Sequence, residues 1–157
     1  MNFDDMDREQ QRREKAAENL AAWSMRLNGQ AIEWDLETVK HLVVLNAAGV
    51  AGVATLLAGP GAEMHKLAWS LILFAAGVIL AVINMHLASD SFDQMADEIA
   101  ERVDQALDPS VPLDHHLVRR PEKGRKLNSW GIRVGWGSGI CAVLATGWLT
   151  YLLLTKQ

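Results

Sequence analysis

Three long stretches of this chain carry no Asp, Glu, Lys or Arg, and nothing in it constrains folding more. They are 41–59 (HLVVLNAAGVAGVATLLAG), 67–88 (LAWSLILFAAGVILAVINMHLA) and 134–154 (VGWGSGICAVLATGWLTYLLL). At 1.5 Å rise per residue, a helix over each is about 28–33 Å long, close to the thickness of a bilayer's hydrocarbon core. The alternative is three buried helices of a water-soluble bundle. Each would then need a polar stripe along its outer side. The second and third stretches are apolar all round, so the pattern predicts membrane-spanning helices. The first is milder, being mostly Ala, Gly and Val with Asn46 inside it.

Average composition hides this. Half of the 157 residues are hydrophobic and 22% are charged, but the charges crowd into 1–40 and 89–133. A length of this order fits one domain. The net charge of −4 gives no global basic signal for nucleic acid. The single cysteine, Cys141, has no internal partner for a disulfide. The opening MNFDDMDREQQRREK is not a secretory signal, because no apolar stretch follows its charges closely. Of the 15 Lys and Arg, six lie at 8–40 and seven at 102–133, leaving only Lys66 and Lys156. The positive-inside rule then expects a cytoplasmic N-terminus and a cytoplasmic 89–133 segment. The 60–66 turn and the 155–157 tail are expected outside. Trp69, Trp148 and Tyr151 fall near the outer interface and Trp130 and Trp136 near the inner one, where amphipathic rings are favoured.

Glycine spoils helices in water, yet the third stretch is full of it. Gly131, Gly135 and Gly139 are spaced by four and share one helical face, which Ala142 and Thr146 roughly continue. In lipid, helices associate by close van der Waals contact, which small residues permit. Ala48 and Gly52, like Ala47 and Ala51, repeat the spacing in the first stretch, as do Gly77 and Ala81 in the second. These faces serve packing within one chain or between copies, and spacing alone leaves both open. GWGSG fits a nucleotide-binding loop poorly, because no strand precedes it and no phosphate would reach that depth.

Polar residues inside the spans are functional candidates by default. A hairpin turning at Pro60-Gly61 puts His41, Asn46, Asn84 and His86 at similar depth, so they are expected to share a polar cluster. Its roles range from an Asn–Asn contact with two interfacial histidines to proton or ion handling. Thr55, Ser70, Ser138, Thr146 and Thr150 can return hydrogen bonds to their own helix backbones.

The flanking parts read as amphipathic helices. Residues 4–27 are helix-prone, and Leu20, Trp23, Leu27, Ala31 and Trp34 form one stripe. Asn28-Gly29 is expected to break or bend it. In 89–108, Ser91 with Gln94 three on reads as a capping start. Phe92, Met95, Ile99, Val103 and Ala106 form the apolar face, and Asp93, Asp97, Glu98, Glu101 and Asp104 the acidic one. Anionic lipid repels such a helix, so it is expected to pair with the N-terminal helix as a stalk, with Arg8, Arg12, Arg13 and Lys15 facing its acids. An intermolecular coiled coil uses the same residues. Residues 109–130 hold three of the four prolines and read as a loop. Asp114, His115 and His116 lack a second spaced pair and do not predict a metal site. Arg119, Arg120, Lys123, Arg125 and Lys126 are candidates for holding anionic lipid headgroups.

The segments VLNAAGVAG and FAAGVILAV resemble those of a loose class of short bacterial three-span membrane proteins. The likeness covers the first two spans, implies a bacterial inner membrane and brings no activity with it. The expected fold is an all-α membrane protein with three transmembrane helices and a cytoplasmic helical-hairpin extension. Its parts are a cytoplasmic helix (1–40), spans at 41–59, 67–88 and 131–154, an acidic helix (89–108) and a basic loop (109–130). No nucleophile–base pair, catalytic carboxylate or metal-ligand spacing lies in the spans, so no enzyme, cofactor or metal is expected. The expected role is a scaffold or accessory subunit, as a homo-oligomer or in a larger membrane complex. A membrane-perturbing effector or channel is the alternative, and nucleic acid is not an expected partner.

Overall fold

The computed structural model describes residues 3–59, 64–113 and 119–155, without side chains at 3–6, 27–28, 30–36 and 64. The described chain is almost entirely helical: α1 covers Phe3–Leu57, α2 Met64–Leu107 and α3 Arg125–Leu154. All three are long and apolar enough to cross a membrane, through Glu37–Leu57, His65–Leu107 and Arg125–Leu154.

Two punctuation signals in the sequence do not interrupt the helices. Asn28-Gly29 lies inside the continuous α1. One helical glycine costs only about 1 kcal/mol, which a helix of 55 residues absorbs. Ser91, which resembles an N-cap, lies in the middle of α2, which runs without a break from the second apolar stretch into the acidic segment. Its hydroxyl instead donates to the Gly124 carbonyl at 3.0 Å. The helix boundaries also move: α2 takes in 64–66 of the expected turn, and α3 begins at Arg125, within the expected loop.

The chain forms two compact units, one of Met1–Glu33 with Ser89–Leu127 and one of Trp34–Ala88 with Asn128–Gln157. In the first, Ala17 and Leu20 of α1 pack on Ala106 of α2, flanked by Trp23 and Val103. Arg13 reaches the end of α2 and donates to the carbonyls of Asp108 at 2.7 Å and Val111 at 2.9 Å. A cation there meets orphan carbonyls and the negative end of the helix dipole. Asp108 closes the turn by accepting from the Ser110 hydroxyl at 2.7 Å and its N–H at 2.8 Å. These two donors hold the Asp108 carboxyl below its ordinary pKa, the hydroxyl contributing most.

In the second unit, Val53, Phe74, Ala142 and Ala145 form a core, edged by Val50, Leu57, Leu71 and Leu149. Close approach at one position requires glycine: a Cβ on Gly49 would collide with the Phe74 ring. At the far end of the spans, Trp148 donates its indole N–H to the Lys66 carbonyl at 2.9 Å.

Candidate functional site

The second unit contains a layer of neutral polar groups at mid-span. Asn46 of α1 is fully buried. It donates to the Leu42 carbonyl at 2.8 Å and to the Ser138 hydroxyl of α3 at 3.3 Å. Ser138 in turn donates to the Gly77 carbonyl of α2 at 2.8 Å. One chain of hydrogen bonds therefore ties three helices together. Asn46 Oδ1 is buried without a conventional donor. It faces Gly77, where a Cβ would collide with it. A Cα–H of Gly77 is the donor such an approach brings near, a weak bond that recurs at helix interfaces.

The remaining intramembrane candidates are arranged differently from one shared cluster. Asn84 packs where Cβ atoms of Gly131 and Gly135 would stand, at 3.0 and 2.9 Å. His41 and His86 are exposed, and no hydrogen bond joins the four residues. The small residues also divide. Ala81 is fully buried and Gly77 closes on Asn46. Gly139 has Leu42 3.9 Å from its Cβ position. Ala48 is exposed, and nothing lies within 4 Å of a Cβ on Gly52. Among the hydroxyls, Thr55, Thr146 and Thr150 return bonds to their own helices at 2.8–2.9 Å. Ser70 and Ser138 instead donate across to another helix. Serine lacks the threonine methyl group, which leaves room for a second backbone.

The basic segment before α3 is pinned to α2 by a buried ion pair in the first unit. Glu98 Oε2 accepts from the backbone N–H groups of Glu122 at 2.7 Å and Lys123 at 2.6 Å. Its Oε1 accepts from Arg102, which also donates to the Arg119 carbonyl. Burial pushes the Glu98 carboxyl up. The N–H groups of Lys123 and Glu122 and the Arg102 guanidinium more than offset this, so its pKa is lowered. The turn closes at Gly124, whose φ of 77° suits glycine and whose Cβ would collide with the Ser91 carbonyl. The acidic face read from sequence is thus not uniform. Asp93, Asp97, Glu101 and Asp104 are exposed, and Glu98 is not. Spacing could not single it out, because its partners come from a loop without periodicity.

This clasp presents Arg119, Arg120, Lys123, Arg125 and Lys126 on the surface. Lys123 pairs with Glu101 at 2.7 Å, and that bond raises its pKa. Sequence reading did not anticipate the roles of Arg13 and Arg102 in holding these turns, since it expected α1 cations to face the acids of the other helix and took Arg102 as a topology signal. Each pairs with a carboxylate of its own helix, Glu9 or Glu98, and also meets main-chain carbonyls. Among the described residues no three His, Cys, Asp or Glu gather as metal ligands. Asp114, His115 and His116 lie outside the described residues. Comparison of the chain with protein-family models, with curated proteins and with solved structures finds no match.

Proposed function

We propose that this chain is an integral protein of a bacterial inner membrane and serves as a non-enzymatic scaffold or accessory subunit. One observation carries the reading: the apolar windows of the three helices are only 17% buried. Val143 and Trp136 are each 72% exposed, and Ile140, Val44 and Leu154 are also exposed. Water does not tolerate such a continuous surface, whereas lipid or another apolar helix covers it at no cost. The apolar part of α2, His65–Leu107, is 43 residues long, roughly twice what a bilayer needs, so its charge-free part, 67–88, is the portion assigned to lipid.

The distribution of Lys and Arg supports a cytoplasmic N-terminus and basic loop, with the C-terminus outside. In this orientation Ser89–Leu107 and the N-terminal part of α1 form a cytoplasmic helical hairpin that a partner can read. The exposed basic residues at 119–126 hold anionic headgroups at its base. Asn46 and Ser138 bond one another and Gly77 instead of lining a lumen, which favours the scaffold over a channel.

Sedimentation without surfactant tests the membrane assignment: the chain is expected in the pellet, and a chain that stays dissolved overturns it. Extraction in mild detergent should recover a stoichiometric partner or a defined homo-oligomer; a lone monomer overturns the scaffold role. For orientation, an impermeant thiol reagent added outside should label Ala62→Cys and spare Lys123→Cys in a Cys141→Ala background. The opposite pattern reverses the topology.

A further inference from the structure

The second unit has a groove of about 380 Å³ along one side of the spans. Thr38, Asn84 and Asn128 are among its lining residues, as are Leu42, Trp136 and Gly139. The Asn46–Ser138–Gly77 chain puts residues 46, 77 and 138 at one level. Counting 1.5 Å per residue from there, Leu42, Trp136 and Gly139 lie within about 6 Å of mid-span. Thr38, Asn84 and Asn128 lie about 10–15 Å away, all toward the same end. The groove is therefore graded, with an apolar half near mid-span and a polar half at the end of the spans.

We infer that this groove holds one glycerolipid, its ester-glycerol region against Asn84 and Asn128 and one acyl chain running past Leu42, Trp136 and Gly139. The inference rests on the membrane reading above and adds a specific ligand to it. Three features select this occupant. The polarity of the groove follows that of a lipid standing in the leaflet, from the ester region at the interface to the chain at the centre. Among the described residues no charged side chain lines the groove, so this lining recognises an uncharged part of the molecule, which ester carbonyls are. The Asn84 and Asn128 carboxamides offer N–H donors to those carbonyls, and among the described residues no hydrogen bond engages either side chain. The volume lies at the small end of the roughly 300–1,000 Å³ typical of ligand pockets, which suits one chain. Glycine at 139 keeps the apolar half open.

The test uses the full chain in vesicles of an ether-linked phosphocholine lipid. The probe is a phosphocholine glycerolipid with a diazirine on an ester-linked acyl chain, and its ether-linked twin is the control. Adducts on 132–139 are expected to saturate with probe and to exceed those on the Val143–Tyr151 face. The ester probe should exceed its twin about fivefold there, the ratio one net hydrogen bond supplies. Gly139→Leu should lower groove adducts to the level of the outer face, since the new side chain fills the groove. Asn128→Leu, at the other end, should keep chain labelling and lower the ester preference, since only Asn84 then remains as a donor, so the test does not depend on one variant. Labelling that rises linearly and equally on both faces marks ordinary surrounding lipid and overturns the inference, as do cross-links to a second copy through the groove. If the chain inserts and these signatures are missing, only the groove assignment falls. If it fails to insert, the membrane reading falls with it.

Discussion

The two units bury polar groups by different means. The first buries charge: Arg13, Glu98 and Arg102 are each less than 10% exposed, alongside the neutral Ser91. Among the described residues the second buries only neutral polar groups, Asn46, Ser70 and Ser138, all fully enclosed. The partners differ in the same way. Arg13, Glu98 and Arg102 reach main-chain groups of turns and loops, where backbone is left over. Asn46 and Ser138 bond within and between regular helices. Loops with free backbone groups belong beside water, and lipid admits backbone only when its hydrogen bonds are already made. A charge in a span costs far more than an amide. The chemistry each unit buries thus fits the proposal that lipid surrounds the second and water the first.

The largest expected effect falls on the charged side of this comparison. Glu98→Ala leaves Arg102 buried without its carboxylate and frees two loop N–H groups. It should destabilise the first unit by about 3 kcal/mol, the low end for breaking a buried pair. Denaturation in mild detergent, followed by proteolysis at 119–124, measures it; an unchanged midpoint would break the contrast between the units. Acid should act in the same direction. The folded Glu98 pKa lies below its ordinary value, so its contribution is complete above the ordinary carboxylate range. It is lost as pH falls through the lowered value. Loop cleavage should therefore rise in wild-type protein below the ordinary range, and the variant should show no such step.

The second unit should instead be sensitive to volume. Gly77→Ala drives a methyl group into Asn46 and should cost about 1–3 kcal/mol as an overpacking change. Gly52→Ala, with nothing within 4 Å, should be neutral or gain up to about 1 kcal/mol from helix propensity. Thermal unfolding of both variants in one detergent gives the comparison. Equal effects would mean that spacing, not contact, governs these glycines.

This difference also shows what sequence could supply. Charge-free runs and helical periodicity place three apolar helices correctly, because both are properties of consecutive residues. Stripes such as Leu20, Val103 and Ala106 are legible for the same reason. Which small residue meets a neighbour depends on rotation about the helix axis. Gly77 and Gly52 therefore look alike in sequence and differ in space. Glu98 was hidden more deeply, because the groups that make it unlike Glu101 are backbone N–H groups 24 and 25 residues away. The serines were hidden because a hydroxyl that bonds its own helix and one that bonds the next have identical sequence signals.

Removing the hydroxyl in Ser138→Ala deletes two bonds between helices and should cost about 1 kcal/mol, at an average of about 0.6 for each such bond in a membrane protein. Asn46 keeps the Leu42 carbonyl as a partner, so the layer loosens without leaving a bare amide. A cost several times larger would mean that the layer acts as one cooperative network.

The smallest effect belongs to Lys123→Met, and it sharpens the comparison most directly. Lys123 is as well paired as Glu98, with both Glu101 oxygens at 2.7 Å. Both partners are exposed. Exposed pairs gain little over solvation and lose side-chain entropy, so the unfolding midpoint should not move. The raised Lys123 pKa means that any contribution is present below the ordinary lysine range and lost as pH rises through the higher value. Salt should erase it as well. Headgroup binding should respond differently, because the variant removes one positive charge from the basic surface. Weaker binding to anionic vesicles with unchanged stability separates a residue that holds the fold from one that faces the membrane. A matching loss of stability would show that burial is not what distinguishes Glu98 from its neighbour.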